Sequence, residues 1–239
     1  DLNLDNYQDM FARRIMTFPY ENIEELGHID AVVIPHLHAT YIPYDEIFVG
    51  ETKCGKPQTP VIEAHSDWGM AFLGAGVVDP RLGGVREVRG KPLYEVIARG
   101  NKFGLIGDSD THTGWPGRRT NAGISPGHSR APQGITGTRS SELTRSAIMD
   151  AHRKRNTYAT TGERIFIDFS ANGISMGNDI DSNGSAAFRV EVAGTDFIEK
   201  VALYNGNGLV EEKAPNGVRE CVFEFNIDIP DVIDMPYFA

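Results

Sequence analysis

The chain is poor in cysteine. Its 239 residues include only two, Cys54 and Cys221, which lie far apart in the sequence. Structural zinc sites rich in cysteine need closely spaced pairs of this residue, so the sequence excludes that class of site. One disulfide between the two residues is the only cross-link that the sequence permits, and we expect free thiols instead.

Long apolar runs and an excess of positive charge are also missing. No stretch approaches the ~20 apolar residues of a membrane-spanning helix, and no secretory signal pattern is visible. With 23 Lys and Arg against 33 Asp and Glu, the formal net charge is -10. Because an acidic surface disfavours nucleic acids and anionic membranes, we expect neither as a partner. The sequence leaves the cellular compartment open.

The overall composition, with 40% hydrophobic and 23% charged residues, is that of a globular protein with a sizeable core. Its hydrophobic pattern changes near residue 164. Before that point, short β-branched runs alternate with segments of helical periodicity, as in α/β folds. The predicted strands of this part are 31–34, 61–63 and 103–106, and its predicted helices include 92–99 and 141–156.

Beyond residue 164 apolar and polar residues alternate along four segments that Gly and Asn turns separate. This pattern is typical of half-buried antiparallel sheet. The four segments are 164–170, 187–193, 198–204 and 220–226. The sequence therefore predicts an α/β part over residues 1–163 and a small all-β sandwich domain over residues 164–239.

Three predicted strands of the α/β part end in ionisable side chains. The first run ends in His36 and His38, the second in Glu63 and His65, and the third continues through Asp108 to Asp110 and His112. Such residues are also common in polar turns. In parallel α/β folds, however, functional residues collect at the C-terminal ends of strands. The repetition therefore favours one shared site.

The residue types at these strand ends are metal ligands. Imidazole nitrogens and carboxylate oxygens bind zinc, manganese and iron, and residues two apart in a strand face the same side. We expect Asp108, which lies nearer to its strand, to support a ligand. The candidate metal ligands are His36, Glu63, His65, Asp110 and His112. Arg118 is a candidate for binding an anionic substrate, because guanidinium groups match phosphate and carboxylate.

Two segments resemble a known family. Residues 103–117, FGLIGDSDTHTGWPG, and residues 140–165, SSELTRSAIMDAHRKRNTYATTGERI, are similar to the domain-of-unknown-function family numbered 3604, a relative of the PHP (polymerase and histidinol phosphatase) superfamily. The similarity extends over residues 20–210 and is strongest over 92–168. It implies a distorted α/β barrel that binds divalent zinc, manganese or iron and hydrolyses phosphoesters.

The resemblance also assigns roles to individual residues. Asp110 and His112 match the final Asp-x-His of the superfamily's ligands, and His36 matches an earlier histidine. Glu63 and His65 lie at a family-typical strand end. The superfamily's N-terminal His-x-His, its next histidine-bearing loop and its bridging Glu have no counterpart. We therefore expect the C-terminal portion of such a barrel, with an incomplete metal site and exposed edges that lead to homo-oligomers.

The resulting prediction is a metal-dependent phosphoesterase that is inactive as this chain alone. In the complete enzyme the metal would polarise the phosphoester and activate a water. His112 would bind metal or transfer a proton near the leaving group, and Arg118 or Arg119 would contact the phosphate. Two alternatives stay open. An amidohydrolase-like hydrolase would use His36 and His38 as ligands and Asp110 as base, whereas a non-catalytic binding or structural protein would keep only a degenerate site.

Overall fold

The computed structural model describes residues 32, 34, 60–66, 69–70, 93, 102–109, 133–229 and 237–239. Strands dominate these residues. The one helix whose bounds fall within them is α1 (Arg145–Arg153), and Leu93 is also helical. No helix in the described part of the chain is long and apolar enough to cross a membrane.

The first sheet among the described residues has three strands. Its strands are β1 (Val61–Ser66), β2 (Gly69–Met70) and β3 (Gly104–Gly107). β1 is central, antiparallel to β2 and parallel to β3. All six residues of β1 are buried, and its Ile62 and Ala64 pack with Leu93 in a small core.

A second, two-stranded sheet packs against β3. It consists of β4 (Ile135–Thr138) and β5 (Thr157–Thr160), which pair antiparallel and are connected by α1. Ile, Thr and Tyr dominate these two strands, and such β-branched and aromatic residues favour extended backbone. Ala159 of β5 packs against the core around Ile62, so this sheet belongs to the same cluster as β1.

The remaining strands form two sheets around a common core. They are β6 (Phe166–Ala171), β7 (Ile174–Ser175), β8 (Ser185–Ala193), β9 (Val201–Asn205), β10 (Gly208–Lys213), β11 (Glu220–Asp228) and β12 (Tyr237–Phe238). One sheet has the strand order β11-β8-β6-β7 and the other the order β10-β9-β12. All neighbouring strands in both sheets are antiparallel.

The core between these sheets is built from alternate residues of their strands. Phe188 and Val190 of β8, Leu203 of β9 and Phe225 of β11 are buried in one cluster. Burying a side chain of this size contributes about 1.5–3 kcal/mol each. The cluster therefore holds the two sheets face to face.

The short strand β12 connects the two cores. The Tyr237 ring lies 4.6 Å, between centroids, from that of Phe188 in the core between the sheets. The next residue, Phe238, packs against the core around β1 and stacks on Tyr204, with centroids 5.5 Å apart. Adjacent side chains of a strand point to opposite faces, which lets one dipeptide serve both cores.

The predicted α/β barrel is wrong. The described residues form a β-rich structure of several small sheets with one nine-residue helix and, among its strand pairs, a single parallel one. The next strands among the described residues, β4 and β5, pair antiparallel with each other, whereas a barrel of this kind is built from parallel strands. Val32 and Ile34, which fall in the predicted strand 31–34, lie outside any strand. The division of the chain at residues 163 and 164 stays a prediction.

Helix α1 is shorter than the predicted helix over 141–156. It begins after Thr144, whose hydroxyl accepts a hydrogen bond from the backbone N–H of Ala147 at 3.3 Å. Thr144 is therefore the N-cap of the helix. The helix ends before Arg155, which adopts a φ of 61° and turns the chain away from the helix axis.

Candidate functional site

The C-terminal ends of β1 and β3 lie side by side. Their parallel register places His65 opposite Gly107, and the backbone N–H of Asp108 donates to the His65 carbonyl oxygen at 2.9 Å. Because parallel strands run in the same direction, their polar ends meet at one edge of the sheet. Two of the three predicted strand ends thus share one place, which we call the strand-end edge (Glu63–Ser66 and Gly107–Asp108).

β1 buries its ionisable side chains near this edge. Glu63 is 4% exposed and His65 is 2% exposed. Buried carboxylates and imidazoles occur chiefly where hydrogen bonds, opposite charges or metal ions compensate for lost water. The strand register also shifts between Glu63 and His65, an irregularity of the kind that re-aims side chains next to functional sites. The strand-end edge is therefore a polar site inside the fold.

Residues 133–138 cover the strand-end edge from the opposite side. A Cβ atom on Gly134 would lie 2.6 Å from the His65 carbonyl oxygen and 2.8 Å from the backbone nitrogen of Asp108, so this close approach requires glycine. The Thr136 hydroxyl donates to the carbonyl oxygen of Gly107 at 2.7 Å and accepts from its N–H at 3.1 Å. These contacts fix β4 to the end of β3.

Gln133 places a buried amide in this covering segment. Its side chain is 3% exposed, and neither Oε1 nor Nε2 has a hydrogen-bond partner within the described part of the chain. Because leaving a buried polar group unsatisfied costs about 1–3 kcal/mol, this amide requires a partner from outside the described residues, either another part of the chain, water or a polar ligand. Sequence reasoning missed Gln133, because a lone Gln between Pro132 and Gly134 carries no signal until the chain folds onto β3.

The structure brings together only some of the predicted site residues. His65 and Asp108 meet at the strand-end edge, and Glu63 is buried two residues before His65. The other predicted site residues lie outside the described residues. They are His36, His38, Asp110, His112 and Arg118.

The side chains at the strand-end edge are of types that bind divalent metal ions, but there are too few of them for a complete metal site. Imidazole and carboxylate groups suit zinc, manganese and iron. A catalytic zinc centre takes three protein ligands, whereas no group of three or more His, Cys, Asp or Glu residues converges in the part of the chain that the structure describes. A metal at this edge therefore needs ligands from beyond Asp108, where Asp110 and His112 follow.

Comparison with known proteins supports the family resemblance over part of the chain. The model of the family described as "Protein of unknown function (DUF3604)" matches residues 121–191. This range includes β4, α1, β5, β6 and β7, and it therefore contains the segment that covers the strand-end edge. Nothing in this match ties the chain to the PHP superfamily.

A curated relative is similar over a longer stretch. It is an uncharacterized protein of Chlamydia pneumoniae, 23% identical over 174 residues, which cover 65% of this chain and 26% of the relative. The chain thus spans about a quarter of the length of the relative that it matches. No solved structure matches the chain significantly. These comparisons indicate no activity.

Proposed function

We propose that the chain contributes a divalent-metal centre to a phosphoester hydrolase, with the ligands gathered at the strand-end edge. The observation that carries the proposal is the parallel pairing of β1 and β3, in which the Asp108 N–H donates to the His65 carbonyl oxygen at 2.9 Å. This pairing sets two polar strand ends against each other. Asp110 and His112 follow Asp108 in the sequence, two and four residues later.

The proposed ligands are of the types that zinc, manganese and iron prefer. His65, Asp110 and His112 would hold the ion together with His36, and Glu63 would bind it or orient a ligand histidine. A divalent ion bound there supplies polarisation of the phosphoryl oxygens and activation of water. Burial of Glu63 and His65 excludes bulk water from this side and strengthens their electrostatic interactions.

Two further side chains are proposed to bind the substrate. The guanidinium group of Arg118 matches phosphate oxygens with a planar pair of N–H donors. The buried amide of Gln133 would donate from Nε2 to an oxygen of the ester, which satisfies a donor that has no other partner in the described part of the chain. Both contacts favour a phosphoester over a neutral ester.

Mn²⁺ binding to the full 239-residue chain tests the proposal. Isothermal titration calorimetry compares the wild type with Asp110→Asn and with a matched control, His152→Asn. His152 lies in the last turn of α1, where its Nδ1 is 2.9 Å from the Ile148 carbonyl oxygen and its ring takes no part in the strand-end edge. Loss of a ligand should weaken binding by about tenfold or more, since even supporting residues cost 10–100-fold.

The expected result is weakened binding in Asp110→Asn and unchanged binding in His152→Asn. Absence of binding by the wild-type chain, or equal affinities in all three proteins, would show that the strand-end edge does not hold the ion. Hydrolysis of bis(4-nitrophenyl) phosphate by a longer protein that contains this chain is the second readout. Activity there should depend on added metal and on Asp110.

A further inference from the structure

All five Asn-Gly pairs of the chain lie between β6 and β11. They begin at Asn172, Asn183, Asn205, Asn207 and Asn216. In such a pair the asparagine amide can be lost as ammonia, because glycine has no side chain to shield its backbone nitrogen. We propose that Asn216 is a modification site, at which the folded chain deamidates faster than at the other four pairs. The proposal is independent of the metal centre and uses none of its residues.

The reaction exchanges ammonia for water. The glycine nitrogen gives up its proton and attacks the asparagine Cγ, so a C–N bond forms there while the bond from Cγ to Nδ2 breaks. Nδ2 takes up the proton and leaves as ammonia. Water then opens the five-membered imide at either carbonyl carbon, which gives aspartate or isoaspartate. Ring closure requires the peptide unit between the two residues to rotate, so hydrogen bonds that hold this unit or the amide slow the step.

The pair of Asn216 and Gly217 is free to make this rotation. It lies in the connection from β10 to β11, and both residues are exposed. Neither makes a hydrogen bond within the described part of the chain; the next anchoring bond is at the Val218 carbonyl oxygen, which accepts from the Ile198 N–H at 2.8 Å. A Cβ atom on Gly217 would have no atom beyond its chain neighbours within 4 Å, so the peptide unit has room to turn.

Hydrogen bonds restrain three of the other pairs. Oδ1 of Asn172 accepts from the backbone N–H of Ala187 at 2.9 Å, and Oδ1 of Asn205 accepts from that of Asn207 at 2.8 Å. Asn207 itself precedes Gly208, which is paired with Asn205 between β9 and β10. A hydrogen bond of ordinary strength that must break first slows a step by about two- to tenfold.

The pair of Asn183 and Gly184 is restrained through its backbone. The turn that contains it is closed by a hydrogen bond from the Ser185 N–H to the Ser182 carbonyl oxygen at 3.0 Å. The carbonyl oxygen of Gly184 accepts from the Ile229 N–H at 2.9 Å. Rotation of this peptide unit disturbs both bonds, so we expect Asn183 to react more slowly than Asn216 although it is also exposed.

Modification at Asn216 changes the connection between the two sheets. β10 and β11 belong to different sheets, and residues 214–219 join them. Aspartate adds one negative charge, and isoaspartate also adds a methylene group to the backbone. The Val218 and Arg219 carbonyl oxygens, which accept from Ile198 at 2.8 Å and from Gly194 at 2.7 Å, follow at once. An isoaspartyl residue would therefore lie next to the bonds that fix the start of β11.

Peptide mapping of the full chain after incubation at mildly alkaline pH tests this proposal. Trypsin cuts after Lys213 and Arg219, so Asn216 is the only asparagine in its peptide. Digestion at mildly acidic pH keeps the reaction slow, and mass spectrometry detects the change from amide to acid. Asn216 should convert at least about twofold faster than Asn172 or Asn205. In the same chain unfolded in guanidinium chloride, this lead should disappear.

A variant pair supplies the second comparison. Asn216→Gln should remove most of the isoaspartate that forms first, because ring closure through the longer side chain is slower. The control Asn207→Gln should leave it unchanged. Isoaspartate is counted by methyl transfer from S-adenosylmethionine with a protein isoaspartyl O-methyltransferase. Faster conversion at another pair of the folded chain, the same order of rates in the folded and unfolded chains, or unchanged isoaspartate in Asn216→Gln would overturn the proposal.

Discussion

Replacing Thr136 with valine should weaken the contact between β3 and β4. The Thr136 hydroxyl both donates to the carbonyl oxygen of Gly107 and accepts from its N–H, at 2.7 Å and 3.1 Å. Valine has nearly the same shape but neither function. Each hydrogen bond contributes about 0.5–1.5 kcal/mol net, so losing both should lower the free energy of unfolding by about 1–3 kcal/mol. For a chain of this size that corresponds to a fall in Tm of roughly 2–12 °C.

Urea unfolding followed by circular dichroism measures this change. Thr136→Ser is the matched control, because serine keeps the hydroxyl and should keep most of the stability. If Thr136→Val unfolds within about 0.5 kcal/mol of the wild type, the two hydrogen bonds contribute nothing measurable. If Thr136→Ser loses as much as Thr136→Val, packing rather than the hydroxyl joins the strands, and the reasoning fails.

Three further predictions concern the sandwich sheets. Phe225→Ala removes a buried ring and should cost about 3–5 kcal/mol in urea unfolding; a cost below about 1 kcal/mol would mean that this core is not closely packed. The pKa of Lys200 is raised, chiefly by its hydrogen bond to Glu212. Because this pKa is higher in the folded than in the unfolded chain, the pair of Lys200 and Glu212 stabilises the fold fully at pH values below the ordinary lysine pKa of 10.5. The stabilisation is lost as the pH rises through the pKa of the folded state. Stability should therefore fall over this alkaline window in the wild type and fall less in Lys200→Gln. Burial raises the pKa of the Cys221 thiol, so in a Cys54→Ser variant iodoacetamide should alkylate Cys221 more slowly than a free peptide thiol; equal rates would contradict this.

Strands with one face on the core were predictable from the sequence. In β8, Phe188 and Val190 are buried and their neighbours are more exposed, which is the alternation that the sequence shows. β4 and β5 were not predictable in the same way. Thr supplies half of their residues, so they show no apolar alternation, and their position depends on a close approach at Gly134 that exists only once β3 is in place.

The candidate site was predictable where a buried strand ended in polar residues. His65 and Asp108 both follow apolar runs, and parallel pairing does bring these ends together. The same pattern did not justify a whole barrel. Polar residues at the end of a strand indicate where that strand and its neighbour meet, but they do not indicate how many strands the sheet contains. Gln133 has no local signal, since the segment that contains it meets β1 and β3 only in the folded chain.

Paramagnetic broadening by Mn²⁺ in ¹H–¹⁵N NMR spectra tests the central claim most directly, because it locates a bound ion. If ligands gather at the strand-end edge, substoichiometric Mn²⁺ should erase the backbone signals of Ser66, Gly107 and Asp108 first and spare those of β11. Asp110→Asn should protect the same signals at equal Mn²⁺. Broadening that spreads over the acidic surface, begins at β11 or persists unchanged in Asp110→Asn would contradict a metal centre at the ends of β1 and β3.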